Sequence, residues 1–452
     1  MSRQSPGTPG STQPEPSGAI PSTIPTVASA ELGAPSVFRW HDPPVIGIAL
    51  LALAAGFGQF GAVSALGSVA KAFGHIGSGA SFADEAGLSG TTLGVGLAIL
   101  RLASLGGLPL AGLADRFGRR TVLLATCGIG LALTVVAAAS PGYWWFVAIF
   151  ALGRPPLSAT NGVSQVAAVE LTATGERAKA VALIAAGYGV GAGLTAIIHS
   201  LASSVLGFRG IFALAILPLV LLVLIQRWVV EPARYINLEA DSSAERRPVI
   251  GPVAKAYRGR LALVALIMFG VSIITGPANS LVFIYAENIR RVSGIATSGM
   301  VVGAGIAGLG GLLVGRWLAD HWGRRPTVAA GIVGMAVFGA LAYSGSVPGL
   351  IGGYIMGVAA GSVLAPAGGA LANELFPTGV RASVAGWNIA AGVLGAVLGL
   401  LEFGVLADVH GTGNHAGFAA VITFFPAVLF AGLLLLLPET KGREPEELWH
   451  AG

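Results

Sequence analysis

Apolar stretches of about 20 residues recur along this chain between short polar breaks, and each is long enough to cross a bilayer as a helix. They lie near residues 45–70, 88–113, 121–140, 144–169, 180–204, 211–230, 261–285, 294–317, 326–344, 349–372, 383–406 and 417–437. The pattern predicts an all-α polytopic membrane protein with twelve transmembrane helices. The Gly-rich stretch inside 180–204 is where a local break is expected. Ahead of the first span, residues 1–43 are rich in Pro, Ser, Thr and Gly. With so little apolar surface to offset its ordering entropy, this segment is expected to be a disordered tail. It lacks a charged start followed directly by an apolar run, so it does not read as a secretory signal.

The polar breaks are not all different. GLADRFGRR at 112–120 returns as LADHWGRR at 318–325, which sets Asp115 and Asp320 205 residues apart. Glu170 and Arg177 in VELTATGERAKA return as Glu374 and Arg381 in NELFPTGVRAS, both offset by 204. Two unrelated motifs sharing one offset point to duplication of a unit about 200 residues long. The expected organisation is a six-span unit over 44–230, a linker over 231–258, a second six-span unit over 259–437 and a tail over 438–452.

Composition fits packing in lipid. The chain is 54% hydrophobic and 10% charged, against roughly 25% charged in soluble domains. Its 68 glycines suit helices whose backbones approach closely. Of the 26 Lys and Arg, only Lys71, Arg209, Arg290 and Arg291 fall in breaks on one side, and Arg101 and Arg154 fall within spans. All the others fall on the opposite side, which marks that side, with both termini, as cytoplasmic. The net charge of +5 is therefore a topology signal and not a nucleic-acid footprint. The single Cys127 and the scattered histidines offer no metal or disulfide framework. No HExxH is present, and no nucleophile and base stand at working spacing, so an enzyme is not expected.

With its motifs in this order, the chain from about 44 to 443 resembles the major facilitator superfamily. The resemblance rests on both copies of the Asp-x-x-Gly-Arg-Arg loop, Gly153-Arg154 in the fourth span, the paired Glu-to-Arg loops and FRGIF at 208–212. EPARY at 231–235 and PETKGR at 438–443 resemble the motifs that close each half in the sugar-porter-like branch. It implies two six-helix bundles related by a pseudo-two-fold axis, alternating access, a small-molecule substrate, a monomer in the cell membrane and no cofactor. Transport driven by a coupling proton is also within the family's range.

Gating residues follow from the repeated loops. Gly118 and Gly323 permit a tight turn, while Asp115 and Asp320 can pair with Arg119, Arg120, Arg324 and Arg325. In the family such an aspartate also approaches the N-terminus of helix 11 or helix 5, where the helix dipole favours an anion. Glu170, Arg177, Glu374 and Arg381 join this set. The family glycine four residues before the aspartate is here Ala111 and Arg316, which implies a looser approach between helices 2 and 11 and in the matching pair.

A transport path needs polar groups deep in the membrane. Arg154, Ser158, Asn161 and Gln165 fall at i, i+4, i+7 and i+11, one continuous stripe on the fourth span. Ser272, Thr275 and Asn279 make a shorter one on the seventh, and Gln59 stands in the first. The resemblance places these helices around the central path. Arg101 and Arg154 lie about 21 and 24 Å above the cytoplasmic loops by helical rise, and Glu402 about 31 Å above Arg381. Charges so deep are costly and face water or a partner. Arg154 is expected to hold the negative end of a substrate. For Arg101 two readings stand: a substrate contact, or an outer gate with Glu402.

Absences narrow the substrate. The Gln-Gln pair and the Trp of sugar porters are replaced by Ser272-Ile273 and Gly369, and the helix 1 aspartate of proton symporters by Gly58, with Ala55 where a second acid often stands. AAGYGVGAGL has the glycines of the drug-antiporter motif but no proline. The expected function is secondary or facilitative transport of a small organic solute, an anionic metabolite. Efflux of drugs or metabolites by proton antiport and a transporter-fold sensor are the alternatives.

Overall fold

The computed structural model of the protein describes residues 38–79, 81–173, 175–232, 255–377, 380–409 and 414–443. Most of the expected N-terminal tail, residues 233–254 of the expected linker and the end of the chain lie outside these residues. Among the described residues the chain is helical, apart from an isolated bridge between Phe38 and Thr172.

Among the described residues, twelve helical segments account for the pattern of spans, ten of the unsplit helices being long and apolar enough to cross a membrane. They are α1 (Pro43–Ser64), α2 (Gly90–Phe117), α3 (Arg119–Ala137) and α4 (Tyr143–Leu171). The helical stretch Arg177–Ala213 is kinked at Gly207, which has φ 57 and ψ −176. That kink separates α5 (177–206) from α6 (208–225). The second set is α7 (Arg258–Ser280), α8 (Gly294–His321), α9 (Arg324–Ala342), α10 (Val347–Glu374), α11 (Arg381–Val409) and α12 (His415–Leu436).

The break expected inside 180–204 does not occur. The glycines there serve packing instead. A side chain at Gly191 would strike the Leu53 carbonyl oxygen of α1, and one at Gly56 would strike the Tyr188 carbonyl oxygen of α5. α1 therefore seats directly on the backbone of α5, the close approach that small residues allow in lipid. α7 seats on α11 in the same way, where Gly395 faces the Phe269 carbonyl and Gly399 the Ile273 carbonyl. That likeness carries the sequence repeat into the packing of the two sets of six helices.

Outward-facing Leu309, Leu313, Val205, Leu429 and Leu435 are exposed, as befits a surface that lipid covers. Exposed Trp317 and Trp322 mark one end of the bundle, and exposed Trp144 and Trp145 the other, as an aromatic belt requires. The turns at Gly118 and Gly323 lie at the first of these ends, hereafter the motif end.

Contacts between the first and last six helices gather at the far end. Gly90 and Gly94 of α2 abut the backbone of Gly404 and Leu400 on α11, and Gly294 of α8 abuts Ser200 on α5. The Asp408 carboxylate of α11 accepts the N–H groups of Gly90 and Thr91 at 2.7 and 2.8 Å, which caps the start of α2. Asn288, just past α7, donates to the carbonyls of Gly67 and Ala86 at 3.0 and 2.8 Å. Fully buried His199 of α5 shares a 2.9 Å hydrogen bond with Ser68 and stands 3.6 Å from Glu287, which also accepts from Ser200.

Candidate functional site

Two kinds of site stand on this frame: polar groups deep between the helices, and charged joints at the motif end. The deep groups centre on Arg154, whose residue is only 7% exposed. Pro155 and Pro156 follow it inside α4 and remove two donors from the helical ladder. Arg154 Nη1 donates to the Gln59 carbonyl of α1 at 2.8 Å. Its Nε is buried with no hydrogen-bond acceptor. The Gln59 side chain donates to Ser158 Oγ at 3.3 Å and accepts from the Tyr188 hydroxyl at 2.9 Å. Partly buried Arg101 lies near enough for its charge to act on both Arg154 and Tyr188.

Gln59, Arg101, Arg154 and Ser158 are thus brought together, with Tyr188, which the sequence reading did not single out. Further along the stripe, Asn161 is partly buried and Gln165 exposed, so the stripe runs out toward the motif end. Thr275 and Asn279 sit elsewhere. They line a cavity of about 230 Å³ among α7, α9 and α10, with Tyr354, Met335 and Ser362. The Asn279 amide donates back to the Thr275 carbonyl at 3.1 Å.

The outer gate between Arg101 and Glu402 does not form: among the described residues the two make no ion pair. Helix register explains why. Gly90 lies against Gly404 and Gly94 against Leu400, so Glu402 stands about nine residues, or roughly 13 Å, beyond the level of Arg101. The acid that joins α11 to α2 at the far end is Asp408.

The joints at the motif end repeat in detail. Arg119 pairs with Asp115 at 2.7 Å and forks onto Glu170 at 2.9 and 3.1 Å, while its Nη1 donates to the Ala114 carbonyl. Arg324 meets Asp320 at 3.5 Å and Glu374 at 3.3 Å, and donates to the Ala319 carbonyl. Asp115 and Asp320 are themselves 58% and 57% exposed. Arg120 donates to the carbonyls of Val229 and Gln226, and Arg381 to that of Phe376. Glu170 and Glu374 thus engage Arg119 and Arg324 of the repeated loops.

Two carboxylates complete the joints. Glu231 accepts the backbone N–H groups of Arg119 and Arg120 at 2.5 and 2.9 Å, and Glu439 those of Arg324 and Arg325 at 2.9 and 3.0 Å. Each caps a helix N-terminus, where orphan donors and the dipole favour an anion. The turns need glycine twice over. Gly118 and Gly323 have φ 88 and 112, and a side chain on either would meet the Glu231 or Glu439 carboxylate. The two acids lie in the EPARY and PETKGR segments, 208 residues apart, and neither was among the residues expected from sequence.

Two expectations arise here. Partial burial pushes the Glu439 carboxyl up, but N–H donation from Arg324, Lys441, Arg325 and Thr440 outweighs it and holds the group below the usual carboxylate range. A carboxyl held low stabilises the fold above its unfolded value, about 4.3, and loses that contribution as pH falls through its folded value. Melting curves of wild type should therefore drop in acid more steeply than those of Glu439→Gln; parallel curves would remove the cap from the account. Asp115→Asn should keep the fold and change the balance of open and closed states, since it removes the negative charge paired with Arg119. Maleimide labelling of a single cysteine introduced at the motif end, in a Cys127→Ser background, would read it; unchanged labelling with an unchanged transport rate would refute the role.

Comparison with known proteins agrees with this geometry. The model of the Major Facilitator Superfamily matches residues 48–318 and 306–450. A Cupriavidus pinatubonensis protein named "Probable 4-methylmuconolactone transporter" is 25% identical over 381 residues, covering 81% of this chain and 86% of its own. The cis,cis-muconate transport protein of Acinetobacter baylyi is 26% identical over 383 residues, covering 80% of this chain and 87% of its own. Among solved structures, the inward open conformation of the xylose transporter XylE from E. coli superposes with a TM-score of 0.68 at 21% identity, over 89% of this chain and 98% of that one. This last likeness bears on the fold alone.

Proposed function

Because the chain belongs to the Major Facilitator Superfamily and transports small organic solutes across a membrane, we propose that its cargo is an organic-acid anion, moved by alternating access. The observation that carries this is Arg154: a desolvated guanidinium in the fourth helix with one nitrogen unpartnered and no carboxylate bonded to it among the described residues. A buried charge is expensive without a counter-charge, and an anionic cargo supplies one. The relatives named for muconate and methylmuconolactone support the same class.

The described Lys and Arg crowd the motif end, which supports a cytoplasmic motif end, both termini inside and a place in the cell membrane. On that orientation the far end, where α2 meets α11 and α5 meets α8, is the outer side. The joints of Arg119 and Arg324 then brace the cytoplasmic ends of the bundles over 44–230 and 259–437, with 231–258 as linker. A monomer suffices, since each bundle packs on the other. A coupling proton would need a carrier other than the helix 1 position, which Gly58 occupies.

A thermal-shift screen of purified protein against organic acids, sugars and cationic drugs tests the cargo class, because a bound ligand raises stability by mass action. Organic acids alone should raise the melting temperature. A shift with sugars or cations and none with acids would contradict the reading.

A further inference from the structure

Arg154 is not the only cation at its site, and the second changes what the cargo must be. α2 and α4 run side by side: a side chain on Gly106 would touch Pro155, and one on Gly107 would touch Ser158. Arg101 lies five residues before Gly106, so it stands roughly one turn of helix from the level of Arg154. Arg154 and Tyr188 of α5 both donate to Gln59 of α1, and Arg101 on the neighbouring α2 is near enough for its charge to act on both.

Among the described residues no carboxylate balances this pair, and neither arginine is in an ion pair. The Tyr188 hydroxyl donates to Gln59. The cavity of the second set of helices is lined by Thr275, Asn279, Tyr354 and Ser362 among apolar residues and glycines, with no acidic residue in its lining.

Resting on the organic-anion reading, we infer that the site is built for a dianion with two carboxylates on a compact carbon skeleton, held by Arg101 and Arg154 together. A monocarboxylate leaves one desolvated guanidinium and its repulsion uncompensated; a dicarboxylate cancels both. Each carboxylate can take a two-pronged guanidinium contact, and Gln59 and Ser158 supply the neutral donors between them. A single-centred dianion such as phosphate would satisfy the charge but offers one centre to two guanidiniums set on different helices about one turn apart.

The test pairs acids of matched skeleton at neutral pH: muconate against sorbate, and terephthalate against benzoate, with inorganic phosphate alongside. Binding is read by calorimetry on purified full-length protein. Each dicarboxylate should bind at least about tenfold tighter than its monocarboxylate partner, a typical worth for one further charge-assisted contact. Arg101→Gln should bring that ratio close to one while monocarboxylate binding persists, and Arg101→Lys should retain most of it. Wild-type ratios near one, a ratio unmoved by Arg101→Gln, or tighter binding of phosphate would each overturn the dicarboxylate and leave the organic-anion reading standing. If none of the acids binds, both fall.

Discussion

Arg154→Gln is expected to weaken binding of an organic anion on the order of 100-fold, the scale of removing one partner from a desolvated charge pair. The fold should survive, because Gln can still donate to the Gln59 carbonyl that now accepts from Arg154 Nη1. Arg154→Lys keeps the charge but loses the planar fork, and should fall between the two. Affinity measured by calorimetry, with the melting temperature as a control for folding, checks this. An unchanged affinity for an acid that wild type binds would make Arg154 a packing residue.

The second large effect concerns the far end. Gly294 begins α8 so close to α5 that an added side chain would overlap the Ser200 carbonyl oxygen. Backbone cannot yield as a flexible side chain does, so Gly294→Val should hold α5 and α8 apart and disfavour the state seen here. Transport should slow by about tenfold or more, since both states must be visited in each cycle. A cysteine placed at Ser68, beside buried His199, would then become reactive to an impermeant maleimide from outside. Continued protection together with a normal rate would show that this contact does not set the conformation.

Much of this was legible in the sequence, for physical reasons. A bilayer fixes the length of each span, and a duplicated chain repeats its special residues, so spans, repeat and joints could be read from spacing alone. Asp115, Arg119, Glu170 and their copies are found as one network because motifs that persist through duplication do so for a shared geometry. Glu231 and Glu439 were visible in their segments, but a carboxylate capping a helix 112 or 115 residues away leaves no periodic trace.

The interior was harder to read. The stripe on α4 is local, so its four residues could be aligned by helical period. Tyr188 and Arg101 join Arg154 only through the packing of three helices. Sequence offered Glu402 as the partner of Arg101 because no other acid falls well inside a predicted span and helices 2 and 11 are neighbours in the family. The register of α2 on α11, set by Gly90, Gly94 and Gly404, moves it out of reach. Glycines in α5 misled in the opposite direction, since a residue that can break a helix in water is what lets two helices touch in lipid.

Solute counterflow in proteoliposomes tests the central claim most directly. Vesicles holding the purified protein are preloaded with an unlabelled organic acid that raises its melting temperature, then diluted into a trace of the labelled acid. The account predicts a transient accumulation of label by wild type and none by Arg154→Gln reconstituted at equal density. No transient with any such acid, or an equal one from the variant, would contradict it.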